Sequence, residues 1–170
     1  MSGPAIPRRT IVCSCGSVEF EVLGTPIVTV ACYCQDCQAG SRQIEALPQA
    51  PAILDEQGGT AYVVFRKDRV RCIKGADFLK GHKIREKTVT NRVVATCCNS
   101  AMLMNFDDSK HWVDVYRSRF SPDPPPLEIR ICTKTKTGGD LPSDVPSYGS
   151  YPPRFLVKIL AAKLAMLFGR

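Results

Sequence analysis

Residues 27–37 read IVTVACYCQDC, a β-branched run that leads directly into three cysteines spaced C-x-C-x-x-C. The first half is strand-forming chemistry, because branched and small apolar side chains pack well on a pleated surface. The second half brings three thiols into six consecutive residues. Upstream, residues 17–23 (SVEFEVL) alternate apolar with polar, as a half-buried strand does, and follow a second motif, Cys13-Ser14-Cys15-Gly16. Downstream, residues 61–66, 70–74, 92–96, 112–116 and 127–133 carry further strand signals. Residues 35–47 contain Gly40 as their single helix breaker, which predicts a short helix after Cys37. The pattern predicts a mainly β fold organised around its cysteines.

The chain has 170 residues, enough for one domain with a real core, and 44% hydrophobic and 23% charged residues are ordinary for a globular protein. Its nine cysteines are not ordinary. The N-terminal residues 1–10 carry prolines and Arg8-Arg9 without an apolar run, so they do not read as a secretory signal, and the expectation is a cytoplasmic chain. In a reducing compartment, clustered thiols point to metal rather than to disulfides. Seven fall in three groups: Cys13/Cys15, Cys32/Cys34/Cys37 and Cys97/Cys98. A C-x-C pair presents two thiolates from a tight turn, and Gly16 can take the positive φ that relaxes it. Two more ligands must come from elsewhere, and Cys97 and Cys98 are the natural candidates. Adjacent residues in a strand point apart, so both reach one metal only through a bulge or turn. The triple Cys32, Cys34, Cys37 offers three protein ligands and one open position, the arrangement of a catalytic zinc, although a second structural site explains it as well. Cys72 and Cys132 read as buried strand residues, and His82 and His111 as surface or core residues.

The formal net charge is +7, and residues 61–92 hold ten Lys/Arg against three acids. This asymmetry fits an anionic partner, or simply a solvated face. Aromatics are not interleaved with the bases, which argues against nucleic acid. Residues 134–153, rich in Gly, Pro and Ser, read as a linker. Residues 154–170 (RFLVKILAAKLAMLFGR) read as a cationic amphipathic helix, docked on the domain or lying peripherally on a membrane surface. The expected organisation is a β domain over 1–133, the linker over 134–153 and the helix over 154–170.

The segments CSCGSVEFEV (13–22), ACYCQDCQAG (31–40) and RVVATCCNSAML (92–103), in that order, resemble the GFA family, which includes glutathione-dependent formaldehyde-activating enzymes and the domain of centromere protein V. The resemblance covers roughly 11–131. It implies a tent-like arrangement of antiparallel sheets holding two Zn2+ ions. One is structural, at Cys13 and Cys15 with Cys97 and Cys98; the other is catalytic, at Cys32, Cys34 and Cys37. The implied activity joins a small thiol, glutathione, to an aldehyde, the reverse of a carbon–sulfur lyase reaction. The third motif departs from the usual C-x-x-C-G: Ala95 stands where its first cysteine belongs and Asn99 where its glycine belongs. Tyr33 and Gln35-Asp36 also replace the His and Ser of many relatives, which marks an uncharacterised branch. The resulting expectation is a zinc-dependent GFA-like enzyme. Its rivals are a non-enzymatic zinc-stabilised module docking on an anionic membrane surface or nucleic acid, and a thiol redox sensor.

Overall fold

A computed structural model describes residues 6–169, so Arg170 of the expected helix and residues 1–5 lie outside the described residues. The fold is mainly β. Ten strands run in the order β1 (Arg8–Val12), β2 (Glu19–Leu23), β3 (Val28–Cys32), β4 (Thr60–Arg66), β5 (Val70–Lys74), β6 (Leu79–His82), β7 (Thr90–Ala95), β8 (Ser100–Phe106), β9 (Trp112–Tyr116) and β10 (Ile129–Ile131). Helix α1 (Gln35–Glu45) follows β3, and α2 (Pro153–Leu167) closes the described chain. Strands β1, β2 and β5 form a small antiparallel sheet. The remaining seven form a larger sheet in the order β10-β3-β4-β9-β8-β7-β6, antiparallel except where short β10 runs parallel to β3.

Alternation in the larger sheet builds two cores. In β4, Tyr62 and Val64 point to one face and Val63 and Phe65 to the other, all four buried. The first face is covered by α1 and α2, the second by the small sheet, whose Ile11, Val18, Phe20 and Val22 pack on it. One irregularity sets the phase. Between β7 and β8 the register jumps, so that Val93 pairs with Leu103 but Val94 with Ala101. Met102 is the extra residue of this bulge, fully buried on the small-sheet side, and Met104 therefore faces the helices.

Residues 146–148, within the expected linker, run beside β10. Arg130 donates its N–H to Pro146 O, and Tyr148 donates its own to Arg130 O, both at 2.9 Å. They cover what would be the sheet's exposed edge. Helix α2 docks through Phe155 and Ile159, each 9% exposed. Lys158 pairs with Glu128, and His111 Nε2 donates to Ile159 O at 2.8 Å. Its opposite face, Leu156, Leu160, Leu164 and Leu167, is exposed. No helix among the described residues is long and apolar enough to cross a membrane. Half of the ten cations in the basic stretch are neutralised in place: Arg66, Arg71, Lys74, Lys83 and Arg85 each pair with a carboxylate.

Ile159→Ala is expected to cost about 2–5 kcal/mol in urea unfolding, as buried Ile truncations do. Leu160→Ala, one residue along on the exposed face, is expected to stay within about 0.5 kcal/mol.

Candidate metal centres and their pocket

Two groups of thiols converge, on opposite faces of the larger sheet. The first forms on the small-sheet side. After β1 the chain folds back at Cys13–Gly16: Gly16 donates its N–H to Cys13 O at 3.0 Å, with Gly16 at φ +76°. The β7–β8 turn supplies the rest. Cys98 donates its N–H to Ala95 O, and Asn99 takes φ +52°, so the backbone turns rather than continuing as strand and both Cys97 and Cys98 reach the group. The sulfurs lie 3.6 Å (Cys13–Cys15), 3.8 Å (Cys13–Cys97), 3.3 Å (Cys15–Cys97) and 3.9 Å (Cys97–Cys98) apart. A tetrahedral ion with metal–sulfur bonds of about 2.3 Å separates its sulfurs by about 3.8 Å. The four thiols therefore fit one ion. Val18 N–H donates to Cys13 Sγ at 3.2 Å, and hydrogen bonds from the Ser17 side chain and backbone and from the Cys97 thiol lower Cys15 to about 6. Lys74 and Arg119 bring positive charge close to the group, Arg119 donating to Ser14 Oγ and Ser100 Oγ.

The second group sits on the helix side. Cys32 ends β3, Cys34 is the N-cap of α1, and Cys37 lies in its first turn. Their sulfurs all lie within 4.8 Å of one another, close enough for three ligands of one ion. Cys34 accepts from the Cys37 backbone N–H at 3.4 Å. Taking hydrogen bonds from the Cys32 and Cys37 thiols and from α1's first turn, it is held down at about 2. Cys32, which donates to Cys132 and Cys34 and is buried, is pushed far up. Cys37 accepts from Cys32, yet donating to Cys34 and burial push it up to about 12. Ionisation in this group thus begins at Cys34. Tyr62, whose own pKa is raised well above normal by burial, donates to Cys37 Sγ at 3.8 Å.

Cys132 is not a strand residue. It stands one position past β10 at φ +56°, half-buried, with its thiol hydrogen-bonded to Cys32. Cys72 lies in β5 against the other core. His82 bonds Gln43, and His111 is tied to α2, so neither imidazole serves a thiol group.

A cavity of about 370 Å³ opens beside Cys32, Cys34 and Cys37. Three adjacent strands present Arg92, Met104 and Asp114 to it in one row, since Arg92 pairs with Met104 and Met104 with Asp114. Sequence reading had missed Arg92 and Asp114 as site residues. The signal for Asp114 was present: in WVDVY it shares its face with Trp112 and Tyr116, not with the valines. Burial pushes the Asp114 carboxyl up to about 7.

Residues 7–169 match a protein family described as a family of unknown function (DUF6151). No curated protein matches the chain in sequence. A crystal structure of a Rhodobacter sphaeroides protein, a structural genomics target, is similar in fold, with a TM-score of 0.50 and 15% identity over 82% of this chain and 99% of that one.

Because the Asp114 pKa rises on folding, the native state keeps a proton that the unfolded chain has released between about pH 4 and pH 7. Stability is therefore greatest below the unfolded value and falls as pH rises through about 7. The urea midpoint is expected to drop between pH 5 and pH 8, and to drop less in Asp114→Asn.

Proposed function

The chain belongs to this family of unknown function, and from that footing we propose that it is a zinc-dependent enzyme that makes or breaks a carbon–sulfur bond between a small thiol and an aldehyde. One observation carries the reading: three thiols with room for a further ligand line the same cavity as a buried carboxyl that titrates near neutrality and a buried guanidinium. The GFA-like cysteine motifs support it as well. The Cys13/Cys15/Cys97/Cys98 group, with four thiols, suits a closed structural zinc. Zinc held by Cys32, Cys34 and Cys37 supplies the positive charge that keeps a substrate thiol ionised at neutral pH.

The chain's own residues do the rest. Asp114 carries its proton up to about pH 7. It can deliver that proton to the carbonyl oxygen as sulfur attacks the carbon, and recover it in reverse. Tyr62, hydrogen-bonded to Cys37, fixes one ligand's orientation. Phe155 and Ile159 of α2 line the cavity and lower its polarity.

Native mass spectrometry of anaerobically purified protein is expected to find two zinc ions per chain, and one in Cys34→Ser. With thiol and aldehyde supplied, Cys34→Ser is expected to abolish adduct formation, and Asp114→Asn to lower kcat about 10²–10⁴-fold while removing the pH limb near 7. Full rate in Cys34→Ser after the loss of one zinc would sink the reading.

The exposed apolar face of α2 supports a second reading, a zinc-stabilised module resting on an anionic membrane. Co-sedimentation with anionic vesicles that weakens in salt, together with no thiol chemistry, would favour it.

A further inference from the structure

Arg92 is 1% exposed, yet its Nε and Nη1 meet no hydrogen-bond partner among the described residues. Its Nη2 donates to Asp36 O at 2.8 Å. The guanidinium lies against α1 at Gly40, where a Cβ would come within 2.2 Å of Nε and 2.8 Å of Nη2. Nη1 lies farther from Gly40 than Nε and Nη2 do, and Arg92 forms part of the cavity wall.

A buried cation without a counter-charge is costly. The nearby carboxylates do not serve. Asp36 turns to Arg85 at 3.1 Å. Asp114 stands across Met104, its Cα two strand spacings and so about 10 Å from that of Arg92, and the free Nε and Nη1 do not reach its carboxylate. The rest of the wall is mostly apolar, with Phe106, Trp112, Ile131, Tyr151 and Phe155, and its other cation, Lys110, is paired with Asp108.

We infer that Arg92 receives the carboxylate of a ligand with an apolar body, an aryl- or alkyl-substituted monocarboxylate, in the cavity beside Cys32, Cys34 and Cys37. That this ligand is one partner of the carbon–sulfur chemistry rests on the function proposed above; the binding itself does not. A peptide thiol such as glutathione fits poorly. It carries two carboxylates, an ammonium and two amides, and a wall that is mostly aromatic and aliphatic would leave several of them unpaired.

Trp112 is the chain's single tryptophan and lines the cavity, so its fluorescence reports occupancy. The full chain would be titrated with three thiol-free probes: 3-phenylpropanoate, its amide, and S-methylglutathione. The expected result is a saturable change with the carboxylate, binding at least tenfold weaker for the amide, and S-methylglutathione weaker still. Arg92→Gln is expected to lose at least tenfold for the carboxylate alone. Arg92→Lys, which restores charge without the planar fork, is expected to recover part of it. Should Arg92→Gln not fold, the acid–amide comparison in the unmodified chain decides. Equal binding of acid and amide, or tighter binding of S-methylglutathione, overturns the inference. Repeating the titration in Cys34→Ser separates the two readings. Carboxylate preference that survives there while zinc and adduct chemistry are lost belongs to Arg92. Adduct chemistry on glutathione without carboxylate preference would leave the proposed function standing and this inference overturned.

Discussion

Sulfur atoms held 3.3–3.9 Å apart cannot all ionise unless a cation sits among them, because their mutual repulsion in a partly buried site exceeds what folding can supply. In this chain that condition joins the turn after β1 to the tip of the β7–β8 hairpin, 84 residues apart from Cys13 to Cys97. The loop so closed contains β2, all three helix-side thiols, and strands β3, β4, β6 and β7 of the larger sheet. Metal binding at such a site is folding free energy. Lys74 and Arg119 stand close enough to offset the excess negative charge that four thiolates leave around a divalent ion. The small sheet packs over the larger one through the same corner.

The larger sheet separates two kinds of work. On its small-sheet face lies a closed thiol group whose members come from two turns. On its helix face lie three thiols contributed by a strand end and the first turn of a helix, next to a cavity. The difference follows from local geometry. Two facing turns can aim four side chains at one point, whereas α1 is capped by Cys34 and spends its first turn on Cys34 and Cys37, leaving one side of the group facing the cavity. The helix N-terminus also favours charge at Cys34. Arg92, Met104 and Asp114 then face this group from the sheet, because alternate residues of adjacent strands necessarily share a face.

Where chemistry is local in sequence, it was legible. The C-x-C and C-x-x-C spacings announced thiol groups because a few residues of backbone suffice to bring those sulfurs together. Strands at 17–23, 27–31, 61–66 and 112–116 were legible from period-two alternation and β-branching, and α1 and α2 from their lengths and patterns. Three strands were not. β1 (RRTIV) hides behind two arginines. β6 (LKGH) is an edge strand interrupted by glycine. β8 (SAMLMNF) is buried on both faces and bulged at Met102, so it shows no alternation. Arg92 and Asp114 escaped for a different reason: a charged residue in a strand reads as solvent-facing unless the tertiary layer above it is known. Cys132 escaped because a left-handed backbone after β10 redirects its side chain, and no neighbour in sequence signals that. The linker reading of 134–153 captured its composition but not the hydrogen bonds that lay 146–148 along β10.

The bulge at Met102 gives the β7–β8 hairpin a property that substitution tables do not capture. One end of the hairpin delivers Cys97 and Cys98 to the closed thiol group; its body presents Arg92 and Met104 to the cavity on the opposite face. The two tasks are kept in phase by residue count, three on β8 (101–103) against two on β7 (93–94) between the tip and that row. Exchanging Met102 for another apolar residue of similar volume preserves the count. Losing or gaining one residue there shifts the cysteine-bearing tip relative to the cavity row, whatever the residue's identity. What descent must keep at this point is therefore the length of the hairpin arm, and drift in its composition is cheap by comparison.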